Sequence, residues 1–292
     1  MNIHYEVRHR TTYTYSDTAG ISYNRAHLQP RNGPRQSLSS FLIETAPQPP
    51  GPFRTRIDYF GNPMHYFTIE EPHAALDVHV FSKVILTPAE YIEPDATTPW
   101  EEVARAVREV RDAACLDAVQ YVYPSTYIPI LPHAAQWVAD CFTSSRPILA
   151  AALDLTARIH REFEYDPTAT TLATPIDTVY ANKRGVCQDF AQFQIACLRA
   201  LGIPARYVSG YIRPLSTEGH TLAGAQATHA WLAVYTHSHG WVDLDPTNNV
   251  IPCNDHITLA WGRDYDEVSP LRGVMLGGGQ QSLTVDVQVR QV

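Results

Sequence analysis

The sequence predicts an α+β fold in which an N-terminal all-β sandwich or barrel precedes a helical stretch, a buried helix and a second group of strands. Three observations predict it. Over the first ~90 residues polar and apolar side chains alternate with the period of strands. From Thr97 the apolar spacing becomes helical, and beyond Gly202 the strand period returns.

Taken in order, Ile3, Tyr5 and Val7 share one face of a first strand, with His4, Glu6 and Arg8 on the other. Strands follow over Leu38 to Thr45, Arg54 to Tyr59, His65 to Glu70 and Leu76 to Leu86, with Pro and Gly at the junctions. Pro99 opens a helix with Thr98 as its N-cap. A second helix is predicted over Ala134 to Phe142, and a third over Pro147 to Phe163 with Ser144 or Ser145 as cap. A buried helix covers Val186 to Leu201 and stops at Gly202, with Pro204 beyond. Strands resume at Arg206 to Arg213, Ala230 to Thr236 and Trp241 to Asp245. A last strand covers Leu283 to Val289, with Gly277-Gly278-Gly279 before it as a flexible joint. The organisation is a β-domain over 1–95, a helical connector over 96–146, a core over 147–262 and a C-terminal extension over 263–292.

With 45% apolar and 18% charged residues, the 292-residue chain has an ordinary globular composition. Its net charge of −8, without a basic cluster, argues against nucleic acid as the main partner. No apolar run approaches the ~18 residues of a membrane-spanning helix. The segment Met1 to Val7 lacks the apolar core of a signal peptide, so a cytoplasmic protein without a membrane partner is expected. The cysteines, Cys115, Cys141, Cys187, Cys197 and Cys253, are odd in number and form no CxxC pair. Neither a disulfide framework nor a structural zinc site is expected, and most should be buried thiols.

A nucleophilic cysteine needs an ionised sulfur, access and a proton acceptor. Cys187 stands where a loop enters the buried helix, so free N–H groups of the first turn and the helix dipole favour a thiolate. Lys183 and Arg184 are expected to add positive charge, Asp189 to oppose it slightly, and Gly185 to leave room for a substrate backbone. His229 begins a strand 42 residues on, while the remaining histidines read mostly as surface or hairpin residues. A hairpin through His237-Ser238-His239-Gly240 would bring Asp245 to His229, where a carboxylate orients the imidazole. Asp243 shares strand parity with Asp245; the latter is preferred because Pro246 ends the strand and leaves its side chain at the rim. Tyr211, Trp231 and Trp241 are candidates for lining a substrate cleft, against core packing as the alternative.

The runs Gly185-Val186-Cys187-Gln188-Asp189-Phe190-Ala191, Arg199 to Tyr211, His229-Ala230-Trp231 and Trp241 to Asn248 resemble the transglutaminase-like superfamily. Nearly the whole chain is similar to its bacterial branch of cysteine-protease-like proteins with an N-terminal β-domain. The resemblance implies a papain-like core with Cys187 as nucleophile, His229 as base and acid, and Asp245 as orienting carboxylate. It implies a protein or peptide substrate and no cofactor. The expected chemistry is acyl transfer through a thioester, with hydrolysis favoured and protein-glutamine γ-glutamyl transfer as the alternative. The backbone N–H of Cys187 is a first oxyanion donor; Ala181 stands where papain-like proteases carry a glutamine, so the second stays open. A metal site from Cys187, His229, His237 and His239 converges poorly and lacks zinc spacing. A non-catalytic peptide-binding module is the third class, disfavoured by the presence of all three triad residue types.

Overall fold

The computed structural model describes residues 2–214, 221–225 and 227–292. The first half of the chain builds strands Ile3–Ala26 (β1), Gln36–Ala46 (β2), Arg54–Ile57 (β3), Pro63–Ile69 (β4) and His73–Leu86 (β5). Helices Trp100–Arg108 (α1), Ala113–Ala118 (α2), Ala134–Trp137 (α3) and Ile148–Glu162 (α4) follow. The core then runs Glu164–Tyr165 (β6), Ile176–Asn182 (α5), Arg184–Gly185 (β7), Cys187–Ala200 (α6), Ala205–Ile212 (β8), His229–Tyr235 (β9), Trp241–Leu244 (β10) and His256–Gly262 (β11). Tyr265–Val268 (α7), Leu271–Gly277 (β12) and Gln281–Gln291 (β13) complete the chain. No described helix is long and apolar enough to cross a membrane.

The N-terminal sheet is organised by β1, longer than the alternation alone suggests. Its first half lies between β5 and β13, and its second between β4 and β12, with the register broken between Thr14 and Ala19. The exchange of neighbours curls one antiparallel sheet around an apolar core that includes Leu28, Phe67, Ile69, Leu76 and Val78. The C-terminal strands are therefore members of this sheet. Gly277, Gly278 and Gly279 all have positive φ and form its tight connection; a Cβ on Gly279 would stand 2.4 Å from Ser16 Oγ. The expected flexible joint is a built turn.

The core sheet has the order β10-β9-β8-β11, antiparallel throughout. One face, including Tyr207, Ala230, Leu232 and Val234, packs on α6. Phe190 and Phe193 of α6 are buried, each contributing about 1.5–3 kcal/mol through apolar area removed from water. The other face, with Val208, Trp231 and Ala233, turns toward the N-terminal sheet. Asn62 ties the two together, donating to Trp261 O at 2.8 Å and accepting from Trp261 N at 3.0 Å.

The expected caps differ. Thr98 and the two serines make no side-chain cap; Pro99 and Pro147 occupy the positions before α1 and α4. Thr97 Oγ1 instead accepts from Leu149 N at 3.1 Å, so a residue read as preceding one helix caps another. The helix expected over Ala134 to Phe142 is the single turn α3.

Candidate active site

Cys187 is the first residue of α6, and Asp189 sets that helix start. Its carboxylate accepts from the N–H of Val186 at 2.8 Å and the hydroxyl of Thr170 at 2.6 Å. A Cβ on Gly185 would lie 2.6 Å from Asp189 Oδ2, so this glycine makes room for the capping carboxylate rather than for a substrate. Lys183 and Arg184 do not supply the expected charge either. The Lys183 ammonium sits among rings, 3.9 Å from the centroid of Tyr180, 4.5 Å from Phe163 and 4.6 Å from Trp137. Arg184 pairs with Glu164 at 2.9 Å and Asp166 at 3.4 Å. The helix terminus itself is then the feature that favours negative charge at the sulfur.

His229 begins β9, whose pairing with β10 sets Leu232 against Leu244. The next residue, Asp245, comes beside the imidazole across the hairpin. His229 Nε2 donates to Asp245 Oδ2 at 2.8 Å, with neither side chain exposed to solvent. Asp245 Oδ1 accepts from the N–H groups of Thr247, at 2.9 Å, and Asn248, at 3.2 Å. Its Oδ2 accepts also from Asn248 Nδ2 at 2.8 Å and from His256 Nε2 at 3.0 Å. Burial alone would raise the Asp245 pKa; the His229 charge and these hydrogen bonds reverse that and hold it well below the usual range. For His229, burial acts downward, but the negative charges of Asp245 and Cys187 prevail and raise it.

Among the described residues the Nδ1 of His229 is buried without a hydrogen-bond partner. Both His229 and Cys187 line a cavity of about 340 Å³ that opens to solvent, together with Tyr165, Gln188, Tyr207, Ser209 and Tyr265. The phenols of Tyr207 and Tyr165 are held protonated first by burial and then by the Cys187 charge. Gly224, with φ of +88°, closes over the imidazole, where a Cβ would stand 2.6 Å from Nδ1.

Asp243 shares the sheet face of Trp231 but belongs to a different cavity, which it lines with Trp241. Tyr211 is fully buried between β8 and the N-terminal sheet, its hydroxyl 2.9 Å from His9 Nδ1. Trp231 is fully buried, with ring centroid 6.1 Å from that of His229. None of Tyr211, Trp231 and Trp241 lines the Cys187 cavity. His237 faces Asp112 Oδ2 at 3.3 Å and His239 lines the second cavity, so the described structure does not bring them to Cys187 and His229.

Sequence reading passed over His256. Histidines expected at the surface include the buried His9, His27, His65, His73 and His256, and His220 lies outside the described residues. His256 opens β11, which pairs with β8, and only that pairing brings it to Asp245. No local motif marks it.

Of the five free cysteines, Cys115, Cys141 and Cys197 have thiols pushed up chiefly by burial. Iodoacetamide is therefore expected to modify Cys187 and the half-buried Cys253 in the folded protein, and Cys197 only after denaturation. Peptide mapping before and after addition of guanidinium checks this; early labelling of Cys197 would contradict the packing described.

Residues 5–85 match the family described as the bacterial transglutaminase-like N-terminal region, and residues 135–246 match the transglutaminase-like superfamily. The chain is 36% identical over 293 residues to an uncharacterised protein of Mycobacterium tuberculosis, covering 98% of this chain and 91% of the relative. A protein-glutamine gamma-glutamyltransferase of Pseudomonas aeruginosa is 35% identical over 107 residues, 34% of this chain and 16% of that enzyme. A solved candidate cysteine protease of Cytophaga hutchinsonii superposes with a TM-score of 0.77 at 20% identity, covering 100% of this chain and 91% of that one, and so shares the fold. With its helix-borne cysteine, its antiparallel core sheet and both matched regions in order, the chain belongs to the transglutaminase-like superfamily.

Proposed function

We propose that the protein is a cysteine-dependent acyl-transfer enzyme acting on protein or peptide amides, with Cys187 as nucleophile, His229 as base and acid, and Asp245 as the orienting carboxylate. The observation that carries the proposal is the imidazole of His229, with Nε2 on a buried carboxylate and Nδ1, without a partner among the described residues, in the cavity it shares with Cys187. In the proposed reaction His229 accepts the thiol proton, and the sulfur attacks an amide carbonyl. The N–H of Cys187, in the first turn of α6, and the Tyr207 hydroxyl supply candidate donors to the oxyanion. The tetrahedral intermediate collapses to a thioester as His229 protonates the departing amine or ammonia. Water then attacks the thioester with His229 again as base, releasing acid and regenerating the thiol.

Hydrolysis is the favoured outcome because the cavity admits solvent to the acyl-enzyme. Amine transfer is the second reading, supported by the similarity to the Pseudomonas γ-glutamyltransferase. Five free cysteines suit a reducing compartment, and we place the activity in the cytoplasm. Mass spectrometry of casein incubated with enzyme, with and without a primary amine, tests the proposal. Cleavage or glutamine deamidation supports hydrolysis, and amine incorporation supports transfer. An unchanged substrate in a panel of proteins, together with no Cys187-dependent labelling by amide-mimic probes, would remove the enzymatic reading.

Gly224→Ala offers a finer check on the geometry. A methyl group there collides with Nδ1, so kcat/KM is expected to fall about 10–100-fold through misplacement of the imidazole. Steady-state kinetics beside a denaturant titration separates this loss from unfolding.

A further inference from the structure

On the face of the core sheet opposite α6, a cavity of about 840 Å³ lies between β8, β10 and β11 and the N-terminal segments around Arg31 to Gln36 and Tyr59. Its size falls within the range of small-molecule sites. The catalytic proposal makes no use of it. Its cationic side chains are Arg31, Arg35 and Arg206, and its carboxylates are Asp117 and Asp243.

The arginines are unusually placed. The guanidinium of Arg31 lies 3.1 Å from the ring centroid of Trp261, and that of Arg206 lies 3.8 Å from the same centroid and 4.6 Å from that of Trp241. Two positive groups thus share one indole at the wall of a cavity that opens to solvent. None of the three arginines forms an ion pair among the described residues, in contrast to Arg213, which meets Asp255 at 3.0 Å. Arg31 donates to Phe60 O and Asn62 Oδ1, and Arg35 to Cys253 O at 2.6 Å and Thr87 O at 3.2 Å. The Arg206 side chain makes no hydrogen bond among the described residues, where the Nε atoms of both Arg31 and Arg206 are buried without partners.

Burial and the neighbouring Arg206 charge lower the Arg31 pKa to about 10, against the opposing pull of Asp58. Asp58 is the carboxylate that offsets Arg31 and Asp243 the one that offsets Arg206, but neither forms an ion pair with them among the described residues, and burial pushes the Asp243 carboxyl upward. His256 also lines the cavity; its Nε2 is committed to Asp245 and its Nδ1 is buried without a partner. Orphaned donors and guanidinium groups without an ion-pair contact among the described residues, gathered in one cavity, are what a bound anion would satisfy.

We propose that this cavity is a binding site for a small polyanion, bearing carboxylate or phosphate groups, held by Arg206 and Arg31. The site shares a wall with the triad because His256 touches both the cavity and Asp245. Binding itself does not depend on Cys187 being a nucleophile. Trp241 and Trp261 line the site and report on it. Titrating the full-length protein with citrate and separately with pyrophosphate, at constant ionic strength, is expected to give a saturable change in tryptophan fluorescence at about millimolar concentration or below. The two titrants distinguish carboxylate from phosphate as the preferred group. Arg206→Gln and Arg31→Gln are each expected to weaken the better ligand about tenfold or more, the loss of a charge-assisted hydrogen bond. Circular dichroism establishes that each variant is folded. If Arg206→Gln does not fold, Arg206→Lys, which keeps the charge and loses the planar fork, takes its place with a smaller expected loss. No saturable response to either anion, or affinities unchanged in the folded variants, would overturn the proposal.

Discussion

Asp245→Asn is expected to lose both activity and stability, with kcat falling by about 10³–10⁴ and unfolding free energy by about 3–5 kcal/mol. The reason is the donor count around the carboxylate. Oδ1 accepts two backbone N–H groups, and Oδ2 accepts from His229, His256 and the Asn248 amide. An asparagine in either flip must point its own NH₂ at donors. Removing the negative charge also strands the imidazolium form of His229 in a fully buried position. Urea titration measures the stability loss, and kinetics on whichever substrate the mass analysis identifies measures the rate.

The pH dependence has a defined sign. The Asp245 pKa is depressed, so its contribution to stability is present above its unfolded value of about 4 and is lost as pH falls through the folded value. The His229 pKa is raised, so its contribution is full below the unfolded value of about 6.5 and is lost as pH rises through the folded one. The two describe one ion pair, counted once. Asp245→Asn should flatten the stability profile on the acid side; a profile parallel to wild type would contradict the pairing.

Cys187→Ser is expected to reduce turnover by about 10⁴-fold or more while leaving the unfolding midpoint within experimental error. Sulfur and oxygen differ little in volume at this partly enclosed position, where only 8% of the residue is exposed. They differ greatly in acidity, and a hydroxyl beside His229 lacks the nucleophilic anion that a thiol can provide. Retained activity in this variant would remove Cys187 from the proposed mechanism. Lost activity accompanied by unfolding would instead assign it a packing role.

The approach of His229 to Asp245 was legible because both belong to one short hairpin, and antiparallel pairing converts sequence separation into distance. Cys187 was placed by the stop signal at Gly202 and the length of the helix before it. What strand parity could not supply was the identity of the layer facing each side. Trp231 and Trp241 read equally as cleft candidates or as core, and the face that holds them meets the N-terminal sheet, a choice made by contacts such as that between Asn62 and Trp261. His256 escaped for a related reason, because its burial follows from β11 pairing with β8 across a long intervening segment. Lys183 shows that charge near a cysteine in sequence need not be near in space: positive φ at the end of α5 turns its side chain into an aromatic cage. The C-terminal strand was recognised by alternation, but its partner β1 lies at the other end of the chain, beyond any local signal.

The reactivity of the Cys187 sulfur is expected to depend on the His229 imidazole. Labelling by an electrophilic amide mimic, followed by intact-protein and peptide mass spectrometry on wild type, Cys187→Ala and His229→Asn, measures that dependence directly. A single rapid adduct on Cys187 is expected, absent in Cys187→Ala and slowed about 100-fold or more in a folded His229→Asn protein. An adduct rate at Cys187 unaffected by the loss of His229 would contradict it.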